Sequence, residues 1–409
     1  MTKAEVSINS LFSKIQKNKC IVIEYVVALY FLMCCVQISV LLDTISGLYF
    51  VMQDFMYLFF VPFGLKILLD IIESKKIPIN FFILLIISVL VQIFSKNVDL
   101  YFLAVLIPSL KGCNLKSTIK KCMIAIGAFY FIIIFLSLIG IVPDWWQERN
   151  GIIRHSYGFC YPTDFFSIFL ALVLMLIFVR ETKISYVELA IILVLDVILF
   201  VLTDGRLSFI LIILSVILAL LIKLIKKYGK QNCESEPSKL IVVFFSCLPV
   251  AIFTISILLS LLYPYDIKLI NALDNLLSGR IALGADAFKN YGVSVFGKEI
   301  QWFGWGGHGY IPTPENFVYN FVDCAYLRIL FDYGIVATAL ILAGYTFIMH
   351  KAIKEKNIIT VTVLSIVLIW AFVEPILFVK GINVFVLLLC PLFFRPEIDI
   401  RKLLKNKKN

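Results

Sequence analysis

Long runs of apolar residues, broken at intervals by short charged segments, cover most of this chain. A helix needs roughly 20 apolar residues to cross a bilayer, and the runs are close to that length. They predict about twelve membrane-spanning helices, with a range of eleven to thirteen because two runs are short and one is long. The predicted spans are 20–42, 48–72, 78–95, 98–113, 118–142, 162–180, 185–203, 207–227, 239–263, 323–350, 357–375 and 379–394.

The composition supports this interpretation and excludes water-soluble classes. Of the 409 residues, 61% are hydrophobic and only 16% are charged, whereas soluble domains are about half apolar and about a quarter charged. The predicted fold class is therefore all-α, a polytopic transmembrane helical bundle. The ten cysteines lie mostly within apolar runs and show no metal-binding spacing, so we expect no disulfide framework, no metal and no cofactor.

The distribution of lysine predicts the orientation in the membrane. Most of the 37 basic residues fall in alternate connecting segments and in both termini, which the positive-inside rule assigns to the cytoplasm. The net charge of +10 thus reflects membrane topology, and we expect no nucleic-acid partner. The predicted organisation is a cytoplasmic segment 1–19, spans one to nine over 20–263 with an outer loop at 143–161, a large extracellular loop 264–322, spans ten to twelve over 323–394, and a basic cytoplasmic tail 395–409.

Arginine, unlike lysine, is concentrated on the predicted outer side. A guanidinium group binds phosphate or carboxylate in bidentate fashion and never deprotonates, so this placement points to an anionic ligand. The alternative is that these arginines pair with nearby acids such as Asp204, Asp286 and Asp332. The outer arginines are Arg149, Arg154, Arg206, Arg280 and Arg328.

The large outer loop is too long to be a simple connection and is rich in structural signals. Its stretch LDNLLSGRIALGADAFKNYG has helical spacing and predicts that Arg280 lies in the middle of a helix. It continues as FGKEIQWFGWGGHGYIPTPENF, where glycines alternate with aromatic residues around His308. Exposed indole and phenol rings suit the faces of sugars or the membrane interface, and both interpretations stay open.

Carboxyl groups inside predicted spans form a second signal, because buried charges in a membrane are costly and are usually functional or paired. Glu24, Glu188, Asp196 and Glu374 occupy such positions. For Glu24 we favour an interfacial position near the cytoplasmic face. Asp196 lies two to three turns from Arg206 and is a candidate for facing the same cavity.

Four stretches resemble, in order and in predicted topology, the Wzy-type polysaccharide polymerases and, more distantly, the O-antigen polymerase/ligase superfamily. The chain differs from the family pattern at Asp164, Gly205 and Cys324, where the family has Asn, Ser and Asn. The stretches are RHSYGFCYPTDF (154–165), LTDGRLSFI with Arg206, SGRIALG with Arg280, and VDCAYLRILFDYGIV with Asp323.

The resemblance implies an inverting, metal-independent glycosyltransferase with a GT-C-like fold, which builds capsular or exopolysaccharide at the outer leaflet of the cell membrane. Donor and acceptor would be undecaprenyl-diphosphate-linked oligosaccharides, and a chain-length regulator and a flippase would be partners. Arg206 and Arg280, with Arg154, would bind the diphosphate. Asp323 and His308 are nearly equal candidates for the general base, and His155 is the third.

Other residues in these stretches, and in the segment of the large loop where glycines alternate with aromatic residues, are predicted substrate contacts. Two further functions stay open: a ligase of the same superfamily that transfers finished glycan to another acceptor, and a flippase or other transporter of lipid-linked oligosaccharide. A transporter with two related halves should show paired broken helices, and the sequence shows no such internal repeat. The predicted substrate contacts are His155, Tyr157, Tyr161, Trp302, Trp305, Tyr326 and Arg328.

Overall fold

The computed structural model describes residues 3–44, 47–149, 151–228, 236–304, 319–377, 382–394 and 397–399. Within these residues the fold is all-α, as predicted, and contains fourteen α-helices, four 3₁₀ helices and two small two-stranded sheets. The predicted His308 and Trp305 lie outside the described residues.

The α-helices follow one another along the chain with short connections. They are α1 (Lys3–Gln37), α2 (Leu48–Tyr57), α3 (Phe60–Ser74), α4 (Ile79–Ser95), α5 (Asp99–Ser109), α6 (Leu115–Leu138), α7 (Pro162–Arg180), α8 (Tyr186–Thr203), α9 (Arg206–Tyr228), α10 (Lys239–Leu262), α11 (Lys268–Leu276), α12 (Arg280–Tyr291), α13 (Ala325–Lys354) and α14 (Ile358–Trp370). The 3₁₀ helices are Val40–Asp43, Glu181–Lys183, Tyr263–Tyr265 and Val384–Phe394. The strands are β1 (Lys76–Pro78), β2 (Trp146–Arg149), β3 (Ile152–His155) and β4 (Glu397–Asp399).

Eight helical segments in the described part of the chain are long and apolar enough to cross a membrane. A helix satisfies its own backbone hydrogen bonds, which is what an apolar run requires inside a bilayer. The protein is therefore a polytopic helical membrane protein, which confirms the predicted class. Four shorter apolar helices, Ile79–Ser95, Asp99–Ser109, Ile358–Trp370 and Val384–Phe393, coincide with the remaining four predicted spans, whose crossing stays a prediction.

Burial separates central helices from peripheral ones. In the segments Pro162–Lys183 and Ala325–Lys354, 72% and 67% of the most apolar window is buried inside the protein. The segments that contain α6, α8, α9 and α10 are only 22–33% buried, so most of their apolar surface faces outward. Helices α7 and α13 consequently form the centre of the bundle, and the predicted site residues Tyr161 and Asp323 lie one and two positions before their first residues.

One end of the bundle, which we call the lysine end, is held together by ion pairs. Lys121 Nζ lies 2.6 Å from Glu24 Oε2, and Lys111 Nζ lies 2.6 Å from Glu397 Oε1. The antiparallel pair β1–β4 joins the same end. Glu24 is thus neutralised by a partner, and Glu188 closes a capping box with Ser185 at the start of α8. Neither carboxylate remains a candidate for chemistry.

The opposite end, which we call the hairpin end, contains the antiparallel pair β2–β3 and the segments that lead into α7, α12 and α13. Backbone hydrogen bonds tie the hairpin's following turn to the chain after α1: Val40 N–H donates to Gly158 O at 2.9 Å, and Cys160 N–H donates to Ile38 O at 3.2 Å. The sequence predicted two outer loops, and both fall at this end.

Helix α13 is broken at Gly334, which has φ 78° and ψ 178°. A segment of the large loop fills the break: Ile335 N–H donates to Ser294 O at 3.0 Å, and Lys298 N–H donates to Phe331 O at 3.1 Å. A Cβ at Gly334 would lie 2.5 Å from Val295 O and 2.6 Å from Phe296 N. Only glycine allows this close approach, and the docked segment satisfies backbone groups that the break would otherwise leave unpaired.

The expectation that Arg280 lies mid-helix is wrong. Gly279, with φ 82°, ends the preceding turn in a left-handed conformation, so that α12 begins at Arg280. The Asp274 carboxylate stabilises this start, because its Oδ1 accepts hydrogen bonds from the N–H groups of Ile281 at 2.8 Å and Ala282 at 3.1 Å. The apolar residues keep a helical spacing through this turn. The spacing alone therefore did not show that Gly279 and the Asp274 carboxylate start a new helix at Arg280.

Candidate functional site

The turn after β3 is organised by the carboxylate of Asp144. Its Oδ1 accepts hydrogen bonds from the N–H groups of Ser156 at 3.0 Å and Tyr157 at 2.7 Å. Its Oδ2 lies 2.6 Å from His155 Nδ1. These bonds fix the imidazole next to the ring of Tyr157, at 5.5 Å between ring centres. The predicted contacts His155 and Tyr157 are therefore held rigidly at the hairpin end.

Arg154 is buried in this turn with one donor left over. The residue is only 2% exposed, and its Nε donates to Thr203 O at 2.6 Å. Its guanidinium carbon lies 5.7 Å from the centre of the Tyr161 ring. The buried Nη2 has no hydrogen-bond partner among the described residues. A buried unpaired donor costs about 1–3 kcal/mol, more when charged, so this nitrogen is suited to an anionic ligand.

Arg206 occupies a different environment. Its side chain is 67% exposed, and its Nε lies 3.4 Å from Asp204 Oδ1. Arg149 Nη2 also donates to Asp204 Oδ2, and to the Asp204 carbonyl oxygen at 3.0 Å. Burial acts to raise the pKa of Asp204, but Arg149 and Arg206 outweigh it and hold that pKa below its ordinary value. Arg206 is thus paired with a nearby acid, which is the alternative that the sequence left open.

Asp196 is not a partner of Arg206. It is completely buried within α8, and neither carboxylate oxygen has a hydrogen-bond partner among the described residues. The Arg206 guanidinium lies on Asp204 instead, and the shared cavity of Asp196 and Arg206 stays a prediction.

Arg280 and Asp323 face each other where α12 and α13 begin. Arg280 Nε lies 3.2 Å from Asp323 Oδ2, close enough for an ion pair. This nitrogen is nevertheless buried and makes no hydrogen bond among the described residues, because the geometry of the contact is poor. Burial raises the pKa of the Asp323 carboxyl above its ordinary value, and the charges of Arg280 and Arg328 offset this only in part. The ion pair therefore keeps the two side chains together, although the Arg280 Nε–H group makes no well-aligned hydrogen bond.

Tyr319 connects this pair to the hairpin. It lies within electrostatic range of Asp323, Arg280 and Tyr161. Burial, with the nearby Asp323 charge, raises the pKa of the Tyr319 hydroxyl above its ordinary value, so it is a neutral hydrogen-bonding group at physiological pH. Since Tyr161 also lies beside Arg154, the two outer loops meet at Tyr161 and Tyr319.

Two further carboxyl groups border the same place. Asp164, at the start of α7, lies within electrostatic range of Asp323 and Glu374. Glu374, in the turn that follows α14, lies within range of Arg280 and Asp323. We call the complete group the arginine–acid cluster. It consists of Arg154, Tyr161, Asp164, Arg280, Tyr319, Asp323 and Glu374.

Glu374 was not among the predicted site residues. Its position within a predicted span was the available signal, but the sequence did not indicate its neighbours. Ser167 Oγ donates to Glu374 Oε2 at 2.8 Å, and Trp370 Nε1 donates to the same oxygen at 2.9 Å. The rule that intramembrane carboxylates are functional or paired therefore pointed to Glu374, and the structure supplies its two hydrogen-bond donors.

Arg328 belongs to a separate polar pocket beside the cluster. Its Nε donates to Asp332 Oδ2 at 2.7 Å, and Trp302 Nε1 donates to Asp332 Oδ1 at 2.8 Å. The guanidinium is sandwiched between the rings of Trp302 and Phe321, at 4.5 and 4.6 Å from the ring centres. The cavity has a volume of about 110 Å³ and is lined by Asn97, Asp99, Phe321, Ala325, Arg328, Ile329, Asp332, Tyr333 and Pro375.

The predicted contacts Trp302 and Tyr326 have structural partners. The Trp302 ring covers Arg328, so that face is not open to a sugar. Tyr326 is completely buried, and its hydroxyl donates to Leu368 O at 2.9 Å. Asp323 does not pair with Arg328 at the unfavourable five-residue spacing, since Arg328 is engaged by Asp332 instead.

Comparison of the chain with protein-family models, with curated proteins and with solved structures gives no match in any of the three. The arginine–acid cluster brings together residues from three of the four stretches, those that contain Arg154, Arg280 and Asp323.

Proposed function

We propose that this protein is a glycosyltransferase that polymerises undecaprenyl-diphosphate-linked oligosaccharide repeat units into capsular polysaccharide or exopolysaccharide. One observation carries the proposal. Arg154 and Arg280, from two different loops, both lie near Tyr161 and Tyr319; Arg154 Nη2 is buried without a hydrogen-bond partner in the described residues, and Arg280 Nε faces Asp323 Oδ2 at 3.2 Å without a well-aligned hydrogen bond. Such a pair is suited to an anion with several oxygens, and a diphosphate is one.

The reaction explains why positive charge is needed there. Transfer of a glycan breaks the bond between the sugar C1 and the diphosphate oxygen, and negative charge develops on that oxygen. Donors that are already in place, away from bulk water, stabilise the developing charge more than solvent does. Arg280 is the residue nearest to the carboxylates, so we assign it to the leaving oxygen. Arg154 is assigned to the diphosphate, and Arg206, exposed on Asp204, to a peripheral role.

Asp323 positions Arg280 in this scheme. The contact of 3.2 Å between Asp323 Oδ2 and Arg280 Nε keeps the guanidinium beside the carboxylates while leaving its hydrogen-bonding capacity incomplete. An arginine whose N–H groups were all hydrogen-bonded within the protein would have fewer donors left for a ligand. The family resemblance implies a role for Asp323 as general base, but its contact with Arg280 favours the positioning role.

The membrane arrangement follows from the same proposal. The hairpin end would face the outside of the cell, both termini the cytoplasm, and the four shorter apolar helices would complete about twelve spans in a GT-C-like bundle. The donor and acceptor lipids would enter from the outer leaflet. A flippase would supply the repeat unit, and a chain-length regulator would be a neighbour in the membrane.

The proposal is tested by reconstitution. Purified protein in nanodiscs is incubated with a lipid-diphosphate-linked repeat unit in the presence of EDTA, and glycan length is read from a gel. We expect a ladder from the parent protein, none from Arg154→Ala or Arg280→Ala, and a full ladder from Lys289→Ala, an exposed cation on α12 that serves as a control.

Other outcomes would contradict polymerisation and identify its rivals. A single transfer to a different acceptor, with no ladder, would favour the ligase. Movement of intact lipid-linked substrate across vesicle membranes, without a new glycosidic bond, would favour a transporter.

A further inference from the structure

Glu374 is held by one of its two carboxylate oxygens. Both hydrogen bonds, from Ser167 Oγ and Trp370 Nε1, reach Oε2 at 2.8 and 2.9 Å. The other oxygen, Oε1, has no donor among the described residues. Two fixed donors on one oxygen determine the direction of the carboxyl plane, and the second oxygen is left with free lone pairs. This is the arrangement that a group needs if it is to accept a proton in a defined direction.

The turn that carries Glu374 is attached to the start of α13. Ala325 N–H donates to Ala371 O at 2.9 Å, which ties the end of α14 to the residue two positions after Asp323. Three titratable groups face Glu374 from other elements: Asp164 from α7, Arg280 from α12 and Asp323 from the approach to α13. Glu374 is therefore the member of the arginine–acid cluster that follows α14, next to the start of α13.

The cluster also contains evidence of a ligand that is independent of its carboxylates. Arg154 is 2% exposed, yet its Nη2 has no partner among the described residues. A charged donor is rarely buried unpaired without a function. An anion bound by Arg154 and Arg280 would put its attached sugar within the cluster, where the three carboxyl groups are the available proton acceptors.

Asp323 is a less suitable proton acceptor than Glu374. Its Oδ2 lies 3.2 Å from the Arg280 Nε, so a proton on Asp323 would remove the partner that holds Arg280 beside the leaving group. Glu374 has no cation at ion-pair distance in the described residues, and its own donors are the neutral groups of Ser167 and Trp370. It can gain a proton without losing an ion pair.

We propose that Glu374 is the general base of the transfer reaction; this inference rests on the proposed function. The acceptor hydroxyl oxygen forms a bond to C1 of the donor glycan, while the bond from C1 to the diphosphate oxygen breaks and its electron pair leaves with the lipid diphosphate. The hydroxyl proton moves to Glu374 Oε1. Asp164 lies within electrostatic range of Glu374 and is the next carboxyl group along the path of the proton.

The experiment compares variants at Glu374 in the reconstituted polymerisation assay. Glu374→Gln keeps the size and an acceptor oxygen for Ser167 and Trp370, but it cannot take a proton. We expect a fall in kcat of about 10²–10⁴-fold, unchanged binding of the lipid-linked donor, and loss of the low-pH decline in rate that the parent shows. Ser167→Ala, which removes one of the two donors, should lower kcat by less than tenfold.

A second variant separates chemistry from folding. Glu374→Gly removes the carboxyl, and added formate should restore activity in a dose-dependent way if a proton acceptor is what is missing. The same formate should not restore Arg280→Ala. A Glu374→Gln protein with the parent's kcat and pH profile, or a Glu374→Gly protein that formate leaves inactive while it still binds donor, would overturn the role of Glu374. Absence of a ladder from the parent protein would instead overturn the proposed function.

Discussion

Gly297 and Gly334 meet backbone to backbone, one in the large loop and the other at the break in α13. A Cβ on Gly334 would lie 2.6 Å from Phe296 N, and one on Gly297 would lie 2.7 Å from the Asp332 carbonyl carbon. The two glycines therefore let the loop dock into the helix. This contact lies next to Asp332, which binds Arg328 and Trp302. The break in α13 therefore helps to shape this end of the molecule.

Substitution at this contact should lower the free energy of unfolding. We expect Gly334→Ala to lower the free energy of unfolding by about 3 kcal/mol, because the added methyl overlaps backbone that cannot move aside and because the residue has φ 78°. Gly292→Ala is the matched control, since Gly292 has φ 60° but no atom within 4 Å of its added Cβ. Thermal unfolding in detergent measures both, and equal losses would show that the loop is not docked as described.

Loss of Arg280 should lower activity strongly. Removal of a preorganised donor to developing negative charge typically costs about 10²–10³-fold in kcat, and we expect Arg280→Ala to fall in this range. Arg280→Lys should retain only part of the activity, because lysine has no planar fork. Rates of glycan transfer for both, beside Lys289→Ala, give the measurement. Parent-like activity in Arg280→Ala would remove Arg280 from the chemistry.

Arg154 and Arg206 should differ in effect, although the sequence predicted the same ligand for both. The Arg206 side chain is 67% exposed and rests on Asp204, whereas Arg154 is buried with an unpaired nitrogen. We expect at least about 100-fold loss of activity for Arg154→Ala, as for other preorganised donors, and less than about tenfold for Arg206→Ala. Unfolding temperatures establish that both variants are folded. The reverse order of activities would place the diphosphate at Arg206 instead.

The carboxylate of Asp204 should make stability depend on pH at acid values. Arg149 and Arg206 hold its pKa below the ordinary value, so the ionised form stabilises the fold above the unfolded-state pKa of about 3.9, and this contribution is lost as pH falls through the lower folded pKa. Asp204→Asn should reduce the free energy of unfolding by about 1 kcal/mol at pH 7.

Asparagine tolerates the left-handed conformation of this position, φ 47°, so the variant isolates the charge. The difference in unfolding temperature between the parent and Asp204→Asn should vanish as the pH is lowered through the folded pKa. A difference that persists unchanged at the lowest accessible pH would mean that the two ion pairs contribute nothing.

The bundle was predictable from sequence because bilayer thickness imposes a length on each apolar run. All eight long helices and all four shorter apolar helices in the described residues coincide with predicted spans. The break at Gly334 was not predictable, since it depends on a loop segment some 40 residues away that supplies the missing hydrogen-bond partners. Apolar periodicity indicates which residues face lipid or core, but it does not predict a docked segment of this kind.

The site was predictable in its parts and not in its arrangement. Arg154, Arg280 and Asp323 were all proposed from the stretches that contain them; the structure pairs Arg280 with Asp323, and Tyr161 and Tyr319 lie between this pair and Arg154. Arg206 was ranked with Arg280 because the sequence cannot show that Arg206 pairs with Asp204, which Arg149 also binds. Glu374 was recognised only as a costly charge, because its partner Ser167 lies on another helix more than 200 positions away.

The central claim is that this protein breaks the bond between a glycan and its lipid diphosphate in order to form a new glycosidic bond. The most direct test counts both products in one reaction: undecaprenyl diphosphate by mass spectrometry, and new glycosidic bonds by glycan length. We predict one lipid diphosphate released for each bond formed, with both products lost together in Arg280→Ala. Lipid-linked substrate that remains intact while it crosses the membrane would contradict the claim.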